Sequence, residues 1–189
     1  PAMGHHGGYP CSTRPINIYH LVDDAERSLD ALGLPRAHLA GNSMGGWISL
    51  ELSRRGRAKS VCALSPAGMW DQSGLGSRRR ALKLVQQLTR STHWLLPLTS
   101  RVASIRRTSL RDNAVHGDRT SAAEFRALAE AVLHCTAADD LLDALDQFEE
   151  LAVACPTDVA WSACDRIFPV EPFASAARAR VIGARHFLL

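Results

Sequence analysis

The sequence lacks any apolar run near the roughly 18 residues that a membrane-spanning helix needs, so no membrane span is expected within it. It opens at Pro1 without the charged-then-apolar pattern of a secretory leader, and the expectation is a protein that carries none. C-x-x-C spacing is absent. The five cysteines, Cys11, Cys62, Cys135, Cys155 and Cys164, are scattered and odd in number. That argues against a disulfide framework or a zinc site and predicts a reducing, cytoplasmic setting. Cys62 lies in an apolar stretch and is expected in the core. A strong charge of one sign is missing too: a net charge of +3 is too small to argue for a nucleic-acid partner. What remains is 189 residues, 46% hydrophobic and 22% charged, the length of one domain with an ordinary globular composition and enough chain for a core.

The chemistry gathers around residues 37–52. The apolar run Ala37–Ala40 is short enough for a buried strand, and Trp47, Ile48, Leu50 and Leu52 recur at helical spacing. Between them stands Gly41-Asn42-Ser43-Met44-Gly45, a strand-to-helix turn with a serine at its apex, which is the G-x-S-x-G pattern of a nucleophile elbow. The glycines have a physical job: the apex backbone is strained, and a side chain at Gly41 or Gly45 is expected to collide with its neighbours. The serine sits at a helix N-terminus, where free amides favour developing negative charge. Acyl transfer needs such amides, and the backbone N–H of Met44 is the candidate oxyanion donor.

The flanking patterns are those of an α/β protein. Residues 15–32 read as a helix with Ile18, Leu21, Val22, Ala25, Leu29 and Leu32 on one face, Pro15 in the first turn and Gly33 and Pro35 beyond its end. The helix after Ser43 runs to Arg54-Arg55-Gly56, and residues 59–65 form the next strand, so the pairing is parallel with a right-handed crossover. Residues 157–163 are a further strand with Asp165 at its C-terminal end, where open α/β sheets place functional groups. An Ala-rich helix follows over Phe173–Arg180, and a strand starts at His186. From 78 to about 150 the pattern is helical and charge-split: residues 75–120 hold ten Arg and Lys against two acids, and residues 121–150 eight acids against one Arg. Two solvated, mutually neutralising faces explain that split. A sharper reading has Arg78, Arg79, Arg80 and Lys83 bias the site toward anionic substrates or a membrane surface. Trp70, Trp94, Leu95 and Leu96 read either as an acyl pocket or as core.

Gly41–Gly46, together with Ser65-Pro66-Ala67-Gly68 and the run from Trp161 to Pro169, resembles the α/β-hydrolase superfamily, specifically small bacterial Ser-Asp-His members with a helical cap. The likeness covers about residues 1–75 and 155–189. It implies a partial α/β-hydrolase fold: a parallel sheet of about four strands, hydrolase core at 1–70, helical cap at 71–153 and returning core at 154–189. Pro1–Gly8 is similar to the Gly-rich loop after the fourth strand of such enzymes, and His5 and His6 read as a base, as metal ligands or as plain loop histidines. The resemblance makes Ser43 the nucleophile and Asp165 the acid, with Asn42 and Trp70 toward the substrate. His186 is the only histidine after Asp165, 21 positions on, and is the simplest choice of base. The family's base, however, lies in a turn after the last strand, which falls beyond Leu189. The second oxyanion donor falls before Pro1. On this reading the chain is a piece of a hydrolase with a bare apolar edge beside the elbow strand, expected to fold poorly alone.

The function implied is hydrolysis of an ester or related acyl bond in a small-molecule substrate through an acyl-enzyme on Ser43. No cofactor or metal is needed. A carbon–carbon bond hydrolase of the meta-cleavage type and a cofactor-free perhydrolase share the same parts. Epoxide hydrolases and dehalogenases are less favoured because they carry aspartate at the apex. The contrasting class is a non-catalytic binding module or an inactive remnant. No pattern in the sequence sets an oligomeric state.

Overall fold

A computed structural model describes residues 15–70, 75–112, 114–135, 138–144 and 146–189. In chain order the elements are α1 (Ile18–Ala31), β1 (Ala37–Asn42), α2 (Met44–Arg54), β2 (Ala58–Leu64), α3 (Leu75–Thr92), α4 (Leu96–Thr99), α5 (Ala103–Ser109), α6 (Ala122–His134), α7 (Ala138–Ala144), β3 (Leu151–Ala152), β4 (Thr157–Trp161), α8 (Val170–Arg180), β5 (Val181–Ile182) and β6 (Arg185–Leu188). β1, β2, β4 and β6 form one four-stranded sheet in the order β1-β2-β4-β6, parallel throughout, and β3 pairs with β5 in a small second sheet. The expected α/β class, with a parallel sheet of four strands, is the one observed.

Local chemistry sets the boundaries. α1 starts later than Pro15 because Asn17 caps it: the Asn17 side chain accepts from the His20 amide at 3.2 Å and the His20 ring accepts from the Asn17 amide at 3.1 Å. Its buried face is Ile18, Leu21, Val22 and Ala25, whereas Leu32, expected on that stripe, falls at the C-cap and is 70% exposed. α1 and α2 both end in Schellman turns. Gly33 and Gly56 sit at φ 67° and 73°, and the following amides, Leu34 and Arg57, reach back to the Leu29 and Leu52 carbonyls at 2.9 Å each.

The core lies under the sheet. Trp47 and Leu50 of α2 pack with Val61 and Ala63 of β2, Val159 and Trp161 of β4, and Phe173 and Ala177 of α8. Two strand expectations need correcting. β1 is not buried: it alternates between half-buried and exposed residues because β2 is its one strand partner among the described residues. Cys62 is exposed, because alternation along β2 turns Val61 and Ala63 into the core and Cys62 away from it.

Residues 75–144 are helical without a strand among the described residues, as expected. Their charge split is realised as ion pairs between α3 and α7, with Lys83 on Asp143 at 2.7 Å and Arg90 near Asp139 at 3.7 Å. Lys83 is thereby engaged at the surface. The side chains of Arg78 and Arg79 lie outside the described residues, as do His5 and His6. Trp94 is 70% exposed, so it is neither core nor pocket wall. Arg54 fastens the return to the core by donating to the Glu150 and Glu149 carbonyls at 2.8 and 2.9 Å. Among the described residues no helix is long and apolar enough to cross a membrane.

Candidate active site

The C-terminal ends of β1, β2 and β4 converge on one cavity of about 450 Å³, within the range of small-ligand sites. Asn42, Ser43, Ser65 and Asp165 line it from the sheet side, and Arg107, Arg111 and Val115 line it from the helical segment.

Ser43 stands between β1 and α2 with φ 53° and ψ −116°, a backbone that side chains rarely adopt. Three hydrogen bonds hold it there. Its amide donates to the Leu64 carbonyl at 2.9 Å, and its carbonyl accepts from Ala67 at 3.0 Å and Trp47 at 3.2 Å. Gly41 makes the turn possible: a Cβ at that position would run into the Gly45 carbonyl and stand 2.7 Å from the Gly46 amide nitrogen. The expectation for Gly45 is corrected. A Cβ there meets nothing within 4 Å, and the second tight position is Gly46, 3.1 Å from Pro66. The sheet side of α2, rather than the turn itself, is what excludes a side chain. Met44 and Gly45 open α2, so their amides have no acceptor within the helix.

Ser65 follows β2 in a second left-handed backbone, φ 39°. Its amide donates to the Ala160 carbonyl at 2.7 Å, and its hydroxyl accepts from the Ser162 amide at 3.3 Å. This ties the β2 and β4 ends together. Asp165 is half-buried, and one oxygen of its carboxylate accepts from the Ile167 and Phe168 amides at 3.0 and 2.8 Å. The Trp161 indole closes the loop by donating to the Phe168 carbonyl at 2.8 Å. The second carboxylate oxygen is thus aimed by a fixed turn.

The structure brings Ser43, Asn42 and Asp165 to one cavity and leaves two other expected residues away from it. Trp70 stacks on Phe168 with centroids 5.5 Å apart, meets Trp47 edge-on at 5.9 Å and donates to the Asp146 carbonyl at 2.9 Å. It backs Phe168, a wall residue, and is not itself on the wall. His186 lies within β6, paired with Val159, on the opposite edge of the sheet from β1. Three strand spacings, about 14 Å, separate those edges. The His186 ring is 3.4 Å from the Val181 carbonyl, and burial holds its pKa below the ordinary histidine value, with Arg178 adding a smaller push in the same direction. None of the described histidines borders the cavity, and among the described residues no group of three His, Cys, Asp or Glu could hold a metal ion. Sequence reasoning missed Ser65, Arg107 and Arg111. The two arginines are four apart, a spacing that puts them on one helical face, and that was the available signal.

The model of the alpha/beta hydrolase family matches residues 2–189. Epoxide hydrolase EphH of Mycobacterium tuberculosis is 32% identical over 161 residues, which are 81% of this chain and 74% of that protein. Three solved structures share the fold. A membrane phospholipase A described as a bacterial virulence factor superposes with a TM-score of 0.65 at 22% identity, over 96% of this chain and 59% of that one. A hydrolase from Pseudomonas aeruginosa PA01 gives 0.63 at 21%, over 100% and 69%. A meta-cleavage product hydrolase from Pseudomonas fluorescens IP01 gives 0.62 at 15%, over 95% and 65%. At those identities the likeness is one of fold. The chain spans less than two thirds of the phospholipase and of the meta-cleavage product hydrolase.

Proposed function

The chain belongs to the alpha/beta hydrolase family, and on that footing we propose that it is a serine hydrolase cleaving an ester or related acyl bond through an acyl-enzyme on Ser43. One observation carries this reading: Ser43 is held in a strained backbone at a helix N-terminus, on the wall of a ligand-sized cavity. Strain kept at such a position needs a function to justify it.

In this mechanism the Ser43 hydroxyl attacks the substrate carbonyl while a base takes its proton. The Met44 amide donates to the oxyanion that forms, a contact worth about 3 kcal/mol of barrier. The leaving alcohol departs with the proton, and water then attacks the acyl-serine by the reverse route. Asp165 orients the base and stabilises its charged form. The base is carried outside the described residues, since His186 sits on the far strand. Asn42 lines the acyl side of the cavity. Residues 71–153 act as the cap over core residues 1–70 and 154–189, and the substrate is a small ester-like molecule. The exposed thiols of Cys62 and Cys164 support a cytoplasmic setting.

The likeness to an epoxide hydrolase favours a second reading, opening of an epoxide. The apex residue argues against it: Ser43 has no carboxylate to attack the ring carbon. Carbon–carbon bond cleavage would use the same serine and remains a variant of the first reading. Labelling with a fluorophosphonate probe separates the serine readings from the epoxide one. We expect Ser43 to be labelled, and Ser43→Ala to abolish the label. Folded protein that takes no label would mean that residues 1–189 do not activate Ser43, leaving either an incomplete catalytic set or a non-catalytic binding module. Diol formation from styrene oxide that survives Ser43→Ala would favour epoxide chemistry.

A further inference from the structure

We infer that the Ser43 cavity selects substrates bearing a carboxylate besides the scissile bond, and that Arg107 and Arg111 hold that carboxylate. This rests on the acyl-transfer reading of Ser43 and names the substrate class. Arg107 stands in the last turn of α5, and Arg111 follows one helical turn later, just past the C-cap at Leu110. Both line the same cavity as Ser43.

Their neighbour Arg106 shows what a structural arginine looks like here. It donates to the Ser100 carbonyl at 2.7 Å and to the Asp118 carbonyl at 3.2 Å, pinning α5 to the turn at 117–119. The Arg107 side chain makes no hydrogen bond or ion pair among the described residues. Arg111 has a 3.7 Å contact with the adjacent Asp112, both side chains about half or more exposed, which is a weak pair. The other charges on the wall are Arg166 and Asp165, and one Asp165 oxygen is already taken by backbone amides. Three guanidinium groups therefore face two carboxylates, and two of the three, Arg107 and Arg111, come from one turn of chain. Cations at the end of α5 are favoured by the helix dipole, but that does not require both to face the cavity. Guanidinium forks match a carboxylate in a way that ammonium groups do not. The fitting substrates are half-esters of short dicarboxylic acids, with the ester at Ser43 and the free carboxylate at the arginines.

The test has two arms, each with the full chain and its Arg107→Gln/Arg111→Gln and Arg107→Lys/Arg111→Lys variants. By calorimetry, glutarate is expected to bind about tenfold tighter than neutral glutaramide, as two partly exposed ion pairs provide. That preference should vanish in the Gln variant, persist partly in the Lys variant and fall with salt. Equal binding of the two ligands, no glutarate binding, or a preference unmoved by the Gln variant overturns the inference. In the second arm, kcat/KM for mono-p-nitrophenyl glutarate is compared with p-nitrophenyl butyrate. A ratio of about ten, falling toward one in the Gln variant, supports it. Both esters hydrolysed at equal rates would overturn the anion preference and leave acyl transfer standing. Arginine-dependent glutarate binding with neither ester hydrolysed would leave the anion site standing and remove acyl transfer.

Discussion

Between Ala37 and Met69 the side chains of Trp47, Leu50, Leu52, Val61, Ala63 and Met69 are each 3% exposed or less, whereas Leu84, Leu88, Trp94 and Leu98 of the helical segment stand more than half exposed. The first region also holds backbone against backbone, at Gly41 under Gly45 and at Gly46 on Pro66. Among the described residues the second also carries surface ion pairs and arginine-to-carbonyl bonds. The difference follows from what each region presents. A reacting serine has to be placed to within a fraction of an ångström, and only close packing does that. An arginine that meets a substrate carboxylate works from a flexible stem and needs only to be nearby.

The sharpest way to break this comparison is at the elbow. Gly41→Ala places a methyl group in the Gly45 carbonyl, so strand and helix must separate. We expect a loss of at least about 4 kcal/mol, the range reserved for severe overpacking or strain, read as loss of the folded fraction in urea. Gly45→Ala, four residues on, meets open space in a helix and should be neutral or stabilising by up to about 1 kcal/mol. Equal damage at both positions would mean that the turn as a whole, rather than one contact, sets the tolerance.

A smaller effect sharpens the contrast in packing. Leu50→Ala removes a side chain with no exposure and should cost about 2–5 kcal/mol. Leu98→Ala, at 67% exposure, should stay within about 0.5 kcal/mol. Chemical denaturation of both variants measures the gap. A large cost at Leu98 would show that the helical segment is covered by something in solution.

The same contrast explains what could be read in advance. β1, α2 and β2 were legible because each is fixed by local rules: alternation, helical spacing, and glycine at Gly33 and Gly56 where left-handed caps demand it. The strand-to-helix turn at Ser43 was legible because its chemistry is written in five consecutive residues. Cys62 was misjudged because hydrophobicity alone does not say which way a strand residue points. Gly45 was misjudged because spacing shows that a glycine is present, not what its missing side chain would meet. Arg107 and Arg111 were passed over because a charged residue on a helix end is ordinary until tertiary structure sets it on the same cavity as a serine. Long-range placement is what a local pattern cannot carry.

The smallest predicted effect concerns His186, which is half-buried on the edge strand β6 and lies a sheet's width from the serine. Burial lowers its folded-state pKa below 6.5. As pH falls, the unfolded chain therefore takes up this proton first. The stabilising contribution is present above about 6.5 and is lost as pH falls through the folded value. His186→Gln should remove that component, so the difference in urea midpoint between wild type and variant shrinks from pH 7.5 to pH 5. The opposite trend, a wild-type advantage that grows on acidification, would require a folded-state pKa above the unfolded one. Either a negatively charged partner or a hydrogen bond to the Val181 carbonyl stronger than the burial effect would supply that, and the first of these would bring His186 back as a base held by a carboxylate.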